Sequence, residues 1–199
     1  MKYLAFDCSS SDILVCVFNG EKKFNVIKTK TSGTEHLMEA IDECLKLAKM
    51  QILDIDCLGV CVGPGSWTGS RVGVVTALGI LEGIKREIKL VAFNAFDLFS
   101  YNEIESDAVA VIGAYANFVY TKKDNNYNCV EKNSVKDKKI IGFEDIVGGT
   151  TIVERSIEKV MDKKIADADF SSIDDLEPMY LRLSQAEIQL ANKRGTNGN

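Results

Sequence analysis

Apolar and polar positions along this chain alternate with a period of two in some stretches and of three to four in others. The changes of period divide it into strands and helices. Residues 2–7 are an apolar-rich strand, and Ser9-Ser10-Ser11-Asp12 is a polar turn. Ile13–Phe18 is a second strand, rich in β-branched residues. Asn19-Gly20 is a strong hairpin signal and leads into a third strand, Lys23–Lys30. The chain therefore opens with a three-stranded antiparallel meander. Glu35–Met50 carries helical period, with Leu37, Ile41, Cys44 and Ala48 on one face. A strand at Cys57–Val62, a glycine-rich corner, a helix at Thr68–Ile84 and a strand at Lys89–Phe93 follow, and then a short helix at Asn94–Tyr101.

The polar break Asn102–Asp107 marks a boundary between an N-terminal lobe, 1–102, and a smaller C-terminal lobe, 103–199. A second series starts there. Ala108–Ile112 and Asn117–Thr121 read as strands, with a turn at Asn125-Asn126, and repeat the opening hairpin at lower fidelity. Val130–Lys139 reads as a solvated strand or loop, and Gly148-Gly149 punctuates a βα-type segment. Ile165–Leu183 is less regular, Gln185–Lys193 is a short final helix, and Gly195–Asn199 is a frayed tail. Local pattern alone supports a mixed α/β protein.

Composition narrows the function classes. The 199 residues suffice for one sizeable domain or two small lobes, and the net charge of −5 disfavours a stand-alone nucleic-acid binder. No N-terminal segment reads as a signal peptide, and no apolar run reaches membrane-spanning length. Six cysteines without a CxxC pair, and a single histidine, argue against zinc and for reduced thiols in a cytoplasmic protein.

The corner Gly63-Pro64-Gly65-Ser66-Trp67-Thr68-Gly69-Ser70-Arg71-Val72-Gly73 joins an apolar strand to an apolar helix. Its glycines allow backbone angles closed to other residues, and Ser66 and Thr68 are natural helix N-caps. Two readings stand: a helix N-terminus presenting backbone N–H groups to an anion, or a tight βα turn with close packing. No Walker-type lysine follows the glycines.

This stretch resembles the GPGSFTGLRIG signature of the TsaB (YeaZ) family, with Trp67, Ser70 and Val72 replacing phenylalanine, leucine and isoleucine. Residues Tyr3-Leu4-Ala5-Phe6-Asp7-Cys8-Ser9-Ser10-Ser11 are similar to that family's "LAIDTST" strand and turn. Glu35-His36-Leu37-Met38 fits the start of its first helix, and Pro178-Met179-Tyr180-Leu181-Arg182 resembles its "PLYLR". The resemblance implies an actin-like (ASKHA, ribonuclease-H-like) duplicated α/β fold with an abbreviated second lobe. It also implies a non-catalytic subunit that pairs with a TsaD-like paralogue, or with itself when alone, in tRNA N6-threonylcarbamoyladenosine modification. A TsaE-like ATPase is a further candidate partner. No direct contact with nucleic acid or membrane is expected. No cofactor of the chain's own is expected, with ATP or ADP and Mg only at a partner interface.

Departures from the family bear on chemistry. Gly113–Tyr120 lacks the acidic and basic members of a "DARRGEVY"-like segment, and Phe93–Leu98 lacks the histidine metal motif of TsaD. His36, in the first turn of a helix with no orienting partner in view, reads as an ordinary helix residue. Asp7 either faces phosphates and their metal, as in actin-like ATPases, or bonds its own turn. A second hypothesis, a small actin-like nucleotide hydrolase or kinase, rests on Asp7, Ser9, Gly63, Gly65 and Ser66.

The helix Thr68–Ile84 is apolar nearly all round, as helices buried on more than one side are. One face should cover the sheet. Arg71, Val75, Leu78 and Glu82 share a second stripe, with Gly79 beside them to let another backbone approach, and Met38 and Leu45 of the preceding helix extend it. These seven residues are the expected partner interface.

Overall fold

The computed structural model describes residues 1–10, 12–28, 34–99 and 107–182. Two five-stranded sheets are built in the same way. In the first, β1 (Tyr3–Asp7), β2 (Ile13–Phe18) and β3 (Lys23–Lys28) form an antiparallel meander. β4 (Cys57–Cys61) and β5 (Lys89–Phe93) then add in parallel on the other side of β1, giving the order β3-β2-β1-β4-β5. In the second, β6 (Val109–Gly113), β7 (Phe118–Lys123) and β8 (Asn126–Glu131) repeat the meander. β9 (Ile140–Gly142) and β10 (Thr151–Ile152) repeat the parallel pair, in the order β10-β9-β6-β7-β8.

The lobes differ in what joins equivalent strands. In the first, α1 (Leu37–Leu47) connects β3 to β4, and α2 (Trp67–Ile84) connects β4 to β5. At the matching places the second has a short 3-10 turn, Lys132–Val135, and an irregular loop. The repeat is thus actin-like, with an abbreviated second half.

Side-chain alternation assigns the layers. Leu4, Phe6, Val15, Val17, Leu58, Val60 and Leu90 face one side of the first sheet and pack under α1 and α2. Tyr3, Ala5, Cys16, Cys57, Cys61, Val91 and Phe93 face the other side, against the second sheet and α3 (Ile157–Ala166). Burial on both faces explains why these strands read as nearly continuous apolar runs. Gly59 faces α3, where a methyl would overlap the Met161 sulfur, so the glycine lets that fully buried side chain reach the sheet.

The βα-type segment expected around Gly148-Gly149 is β10 followed by α3, a helix whose bounds were not assigned although its signal is present. Ser156 caps its N-terminus, accepting from the Lys159 N–H at 3.2 Å, and Ile157, Val160, Met161 and Ile165 follow at helical spacing. Strands β9 and β10, of three and two residues, are too short for a period to register. The first helix divides into a 3-10 turn, Thr34–His36, and α1. The short helix after β5 is a 3-10 turn, Ala95–Leu98, and the remainder of Asn94–Tyr101 beyond Phe99 is outside the described residues. The break at 102–107 falls almost wholly outside them, and the final helix and tail at 185–199 fall there entirely.

Candidate functional site

Three of the sequence segments singled out above meet at one end of the first sheet. The β4–α2 corner packs directly on the β1–β2 turn. The Ser66 N–H donates to the Ser9 carbonyl, and a methyl on Gly65 would overlap that same oxygen. A methyl on Gly69 would overlap the Cys8 carbonyl oxygen. The Ser66 hydroxyl caps α2 by accepting from the Gly69 N–H at 3.1 Å. Gly63 has φ +99°, in the left-handed region, and turns the chain. Here the corner serves close packing, with the Ser66 and Gly69 N–H groups spent on the protein itself.

Asp7 is 1% exposed, and its Oδ1 accepts from the Ser9 N–H at 2.8 Å, which makes it the anchor of its own turn. Ser9, 2% exposed, has its Oγ 3.6 Å from the Cys61 sulfur. Burial pushes the Cys61 thiol well up, and the Asp7 carboxylate adds to the shift. Arg155, just before α3, reaches this turn from the other lobe. Its guanidinium donates to Ser10 Oγ and to Asp12 Oδ2, both at 2.6 Å, and lies over the Phe143 ring. The residues proposed for nucleotide are therefore brought together, with Asp7 and Ser9 buried and bonded within the chain. Among the described residues, no group of three or more His, Cys, Asp or Glu side chains could hold a metal ion.

The third segment, Glu177–Arg182, lies over the corner as a strap. The Met179 N–H donates to the Val62 carbonyl at 2.7 Å. Tyr180 stacks on Trp67 with ring centres 4.4 Å apart and planes 13° from parallel, and its hydroxyl accepts from Arg71 Nε at 2.7 Å. Arg182 lies over the rings of Tyr115 and Phe118 in the second lobe. Beneath the strap is a cleft of about 450 Å³ at the carboxyl ends of β4 and β5, lined in part by Val62, Asn94, Asp97 and Lys164. Sequence reasoning assigned no role to Trp67, Tyr180, Arg155 or Arg182. The aromatic and cationic types at 67, 71, 180 and 182 were the available signal.

The expected interface residues divide. Val75 is 66% and Met38 56% exposed, and Arg71, Gly79 and Glu82 are also exposed. Leu78 is half-buried against the first core. Leu45 is a correction. It is 7% exposed and belongs to the core between α1 and the sheet, because it shares the inward face of α1 with Leu37, Ile41 and Cys44. Among the described residues, and apart from the backbone of α2 itself, Gly79 and Gly83 have no atom within 4 Å of where a Cβ would stand. His36 is half-buried, with Nδ1 3.0 Å from Glu39.

Known proteins place this geometry in a family. The family model described as "TsaD: tRNA N6-adenosine threonylcarbamoyltransferase" matches residues 28–189. The tRNA threonylcarbamoyladenosine biosynthesis protein TsaB of Haemophilus influenzae is 31% identical over 124 residues, 59% of this chain and 51% of that protein. The protein of the same name from Buchnera aphidicola is 32% identical over 82 residues, 41% of this chain and 37% of that protein. The matches thus span about half or less of these relatives. YeaZ from Pseudomonas aeruginosa superposes with TM-score 0.73 at 15% identity, covering 90% of this chain and 99% of that one, a likeness of fold. An uncharacterized protein with similarity to peptidase YeaZ from the same organism gives 0.72 at 14% identity, covering 91% of this chain and 99% of that one. With a TsaD-type domain match over most of its length, TsaB-named relatives and the YeaZ fold, the chain belongs to the TsaB/YeaZ family.

Proposed function

We propose that this chain is a non-catalytic subunit that docks a TsaD-like protein through the exposed face of α2 and supports tRNA N6-threonylcarbamoyladenosine modification. The observation that carries the reading is α2 itself. Its buried side, Gly69, Gly73, Val74, Ala77 and Ile84, is satisfied by the first sheet and its turn. Its outer side sets Val75 in solvent beside two glycines with open space above them. A mid-helix glycine costs about 1 kcal/mol relative to alanine, and at Gly79 and Gly83 no contact among the described residues offsets that cost. Close approach of another backbone would. The names of the relatives supply the pathway. Alone, the same face suits a second copy, and a TsaE-like ATPase would join through the TsaD-like partner. The setting is the cytoplasm.

Light scattering after size-exclusion chromatography tests the reading, with the chain alone and mixed with the TsaD-like protein of its organism. A one-to-one species is expected. Two well-folded proteins that elute separately would overturn it.

A second reading, a small nucleotide hydrolase or kinase, is favoured by one feature, the cleft outside the carboxyl ends of parallel strands, where α/β sheets commonly bind ligands. Nucleotide titration with and without Mg²⁺ distinguishes it. Tight binding by the isolated chain that Asp7→Ala abolishes would favour it.

A further inference from the structure

Arg71 belongs to two places at once. It lies on the exposed stripe of α2, one turn before Val75. It also holds the strap that walls the cleft, through its Nε bond to the Tyr180 hydroxyl and its position 5.0 Å from the Trp67 ring centre and 5.5 Å from that of Tyr180. The strap leaves the first core at Leu176, passes over Gly63 at the Met179 carbonyl, and reaches the second lobe at Arg182. Between those points, Pro178, Met179 and Tyr180 line the cleft. Tyr180 is 43% exposed, so its clasp is a surface contact, and surface hydrogen bonds and ring stacks are of modest strength.

We propose that Arg71 is a latch coupling the outer face of α2 to the cleft beneath the strap. With Arg71 on Tyr180, the strap is closed over Trp67. A carboxylate carried by a protein docked on α2 competes for the guanidinium, because a bidentate guanidinium–carboxylate ion pair outweighs a single bond to a neutral phenol. Tyr180 is then released, the strap loosens over residues 177–182, and the cleft opens. The docking half of this mechanism rests on the assembly role proposed above. The latch half stands on the chain alone.

The test is hydrogen exchange on the full chain, read over residues 177–182, with fluorescence of Trp67, the sole tryptophan. Arg71→Met keeps an unbranched stem that reaches as far as the Nε position and removes the donor and the charge. Tyr180→Phe keeps the ring stack and removes the acceptor. Both should speed exchange in the strap by about tenfold, the worth of one such bond, while β1 and α3 exchange as before. Arg71→Met should also make Trp67 more accessible to a soluble quencher. Wild-type exchange over 177–182 in both variants would overturn the latch. The second arm repeats the measurement on the wild-type chain saturated with the TsaD-like protein. Faster exchange in the strap supports the coupling, and binding that leaves the strap unchanged or slower overturns it. Failure of the two proteins to bind overturns the docking half together with the assembly role, and the variants then decide the latch by themselves.

Discussion

Cys8 and Gly69 grip each other from both sides. The Cys8 thiol donates to the Gly69 carbonyl at 3.2 Å, and the Cys8 carbonyl oxygen occupies the space a Gly69 side chain would need. This contact sets the first turn of α2 on the β1–β2 turn, and Gly65 against Ser9 repeats it one residue before the helix cap. Both obstructing atoms are backbone, which cannot rotate away. Gly69→Ala should therefore destabilise the chain by roughly 3 kcal/mol, the upper range for overpacking. Urea unfolding checks this, and a midpoint equal to wild type would refute the close packing.

The two outer glycines of α2 should respond in the opposite sense. Gly79→Ala and Gly83→Ala meet nothing among the described residues and gain helix propensity, so each should stabilise by about 0.5–1 kcal/mol. The same substitutions should weaken association with the TsaD-like protein. Stabilised variants that bind with wild-type affinity would remove the argument for close backbone approach at this face.

The buried thiols make stability pH-dependent on the alkaline side. Burial pushes Cys8, Cys16 and Cys57 up to about 12 and Cys44 up to about 11, from an ordinary thiol value of 9.0. The folded chain keeps these protons at pH values where the unfolded chain has lost them. Their contribution is therefore complete below pH 9 and is lost progressively as pH rises toward 12. The slope approaches about 1.4 kcal/mol per pH unit for each thiol. Unfolding of wild type and Cys57→Ala at several pH values from 8 to 10.5 checks this, with the shallower decline expected in the variant. Parallel declines would show that Cys57 does not titrate as its burial requires.

Met161 and Gly59 join α3 to the first sheet. Met161 is 0% exposed, and its side chain fills the position a Gly59 methyl would take. Met161→Ala should cost about 2–5 kcal/mol, as other buried methionine truncations do. A loss well under 1 kcal/mol, measured by thermal or urea unfolding, would mean that α3 is not packed as described.

What could be read from the sequence follows from what leaves a period in it. Strands β1 and β2 were legible because strands buried on both faces are nearly all apolar, and Asn19-Gly20 turns the chain from β2 into the partly exposed β3. Asn19 Oδ1 indeed accepts from the Glu21 and Lys22 N–H groups, and Gly20 has φ +97°. The second lobe was less legible because its connections shrank: a four-residue turn stands where α1 stands in the first, and β10 has only two residues. Helix α3 carried a readable Ser156 cap that lay in a lysine-rich, weakly apolar stretch. At the candidate site, the glycine corner was legible as a turn. Its contacts with Cys8, Ser9 and Met179 come from chain segments dozens of residues away, which no local pattern encodes. Leu45 illustrates the limit: near the seam between an inward and an outward face, helical spacing alone did not decide which way it turned.

The most direct test of the assembly role is the affinity of Val75→Glu for the TsaD-like protein by isothermal titration, beside its unfolding midpoint. Val75 is exposed and touches no core, so stability should change by less than about 0.5 kcal/mol. Binding should fall by about a hundredfold or more, since a carboxylate would be desolvated within an apolar contact. Wild-type affinity in the well-folded variant would contradict the account, because the exposed face of α2 would then not be where the partner sits.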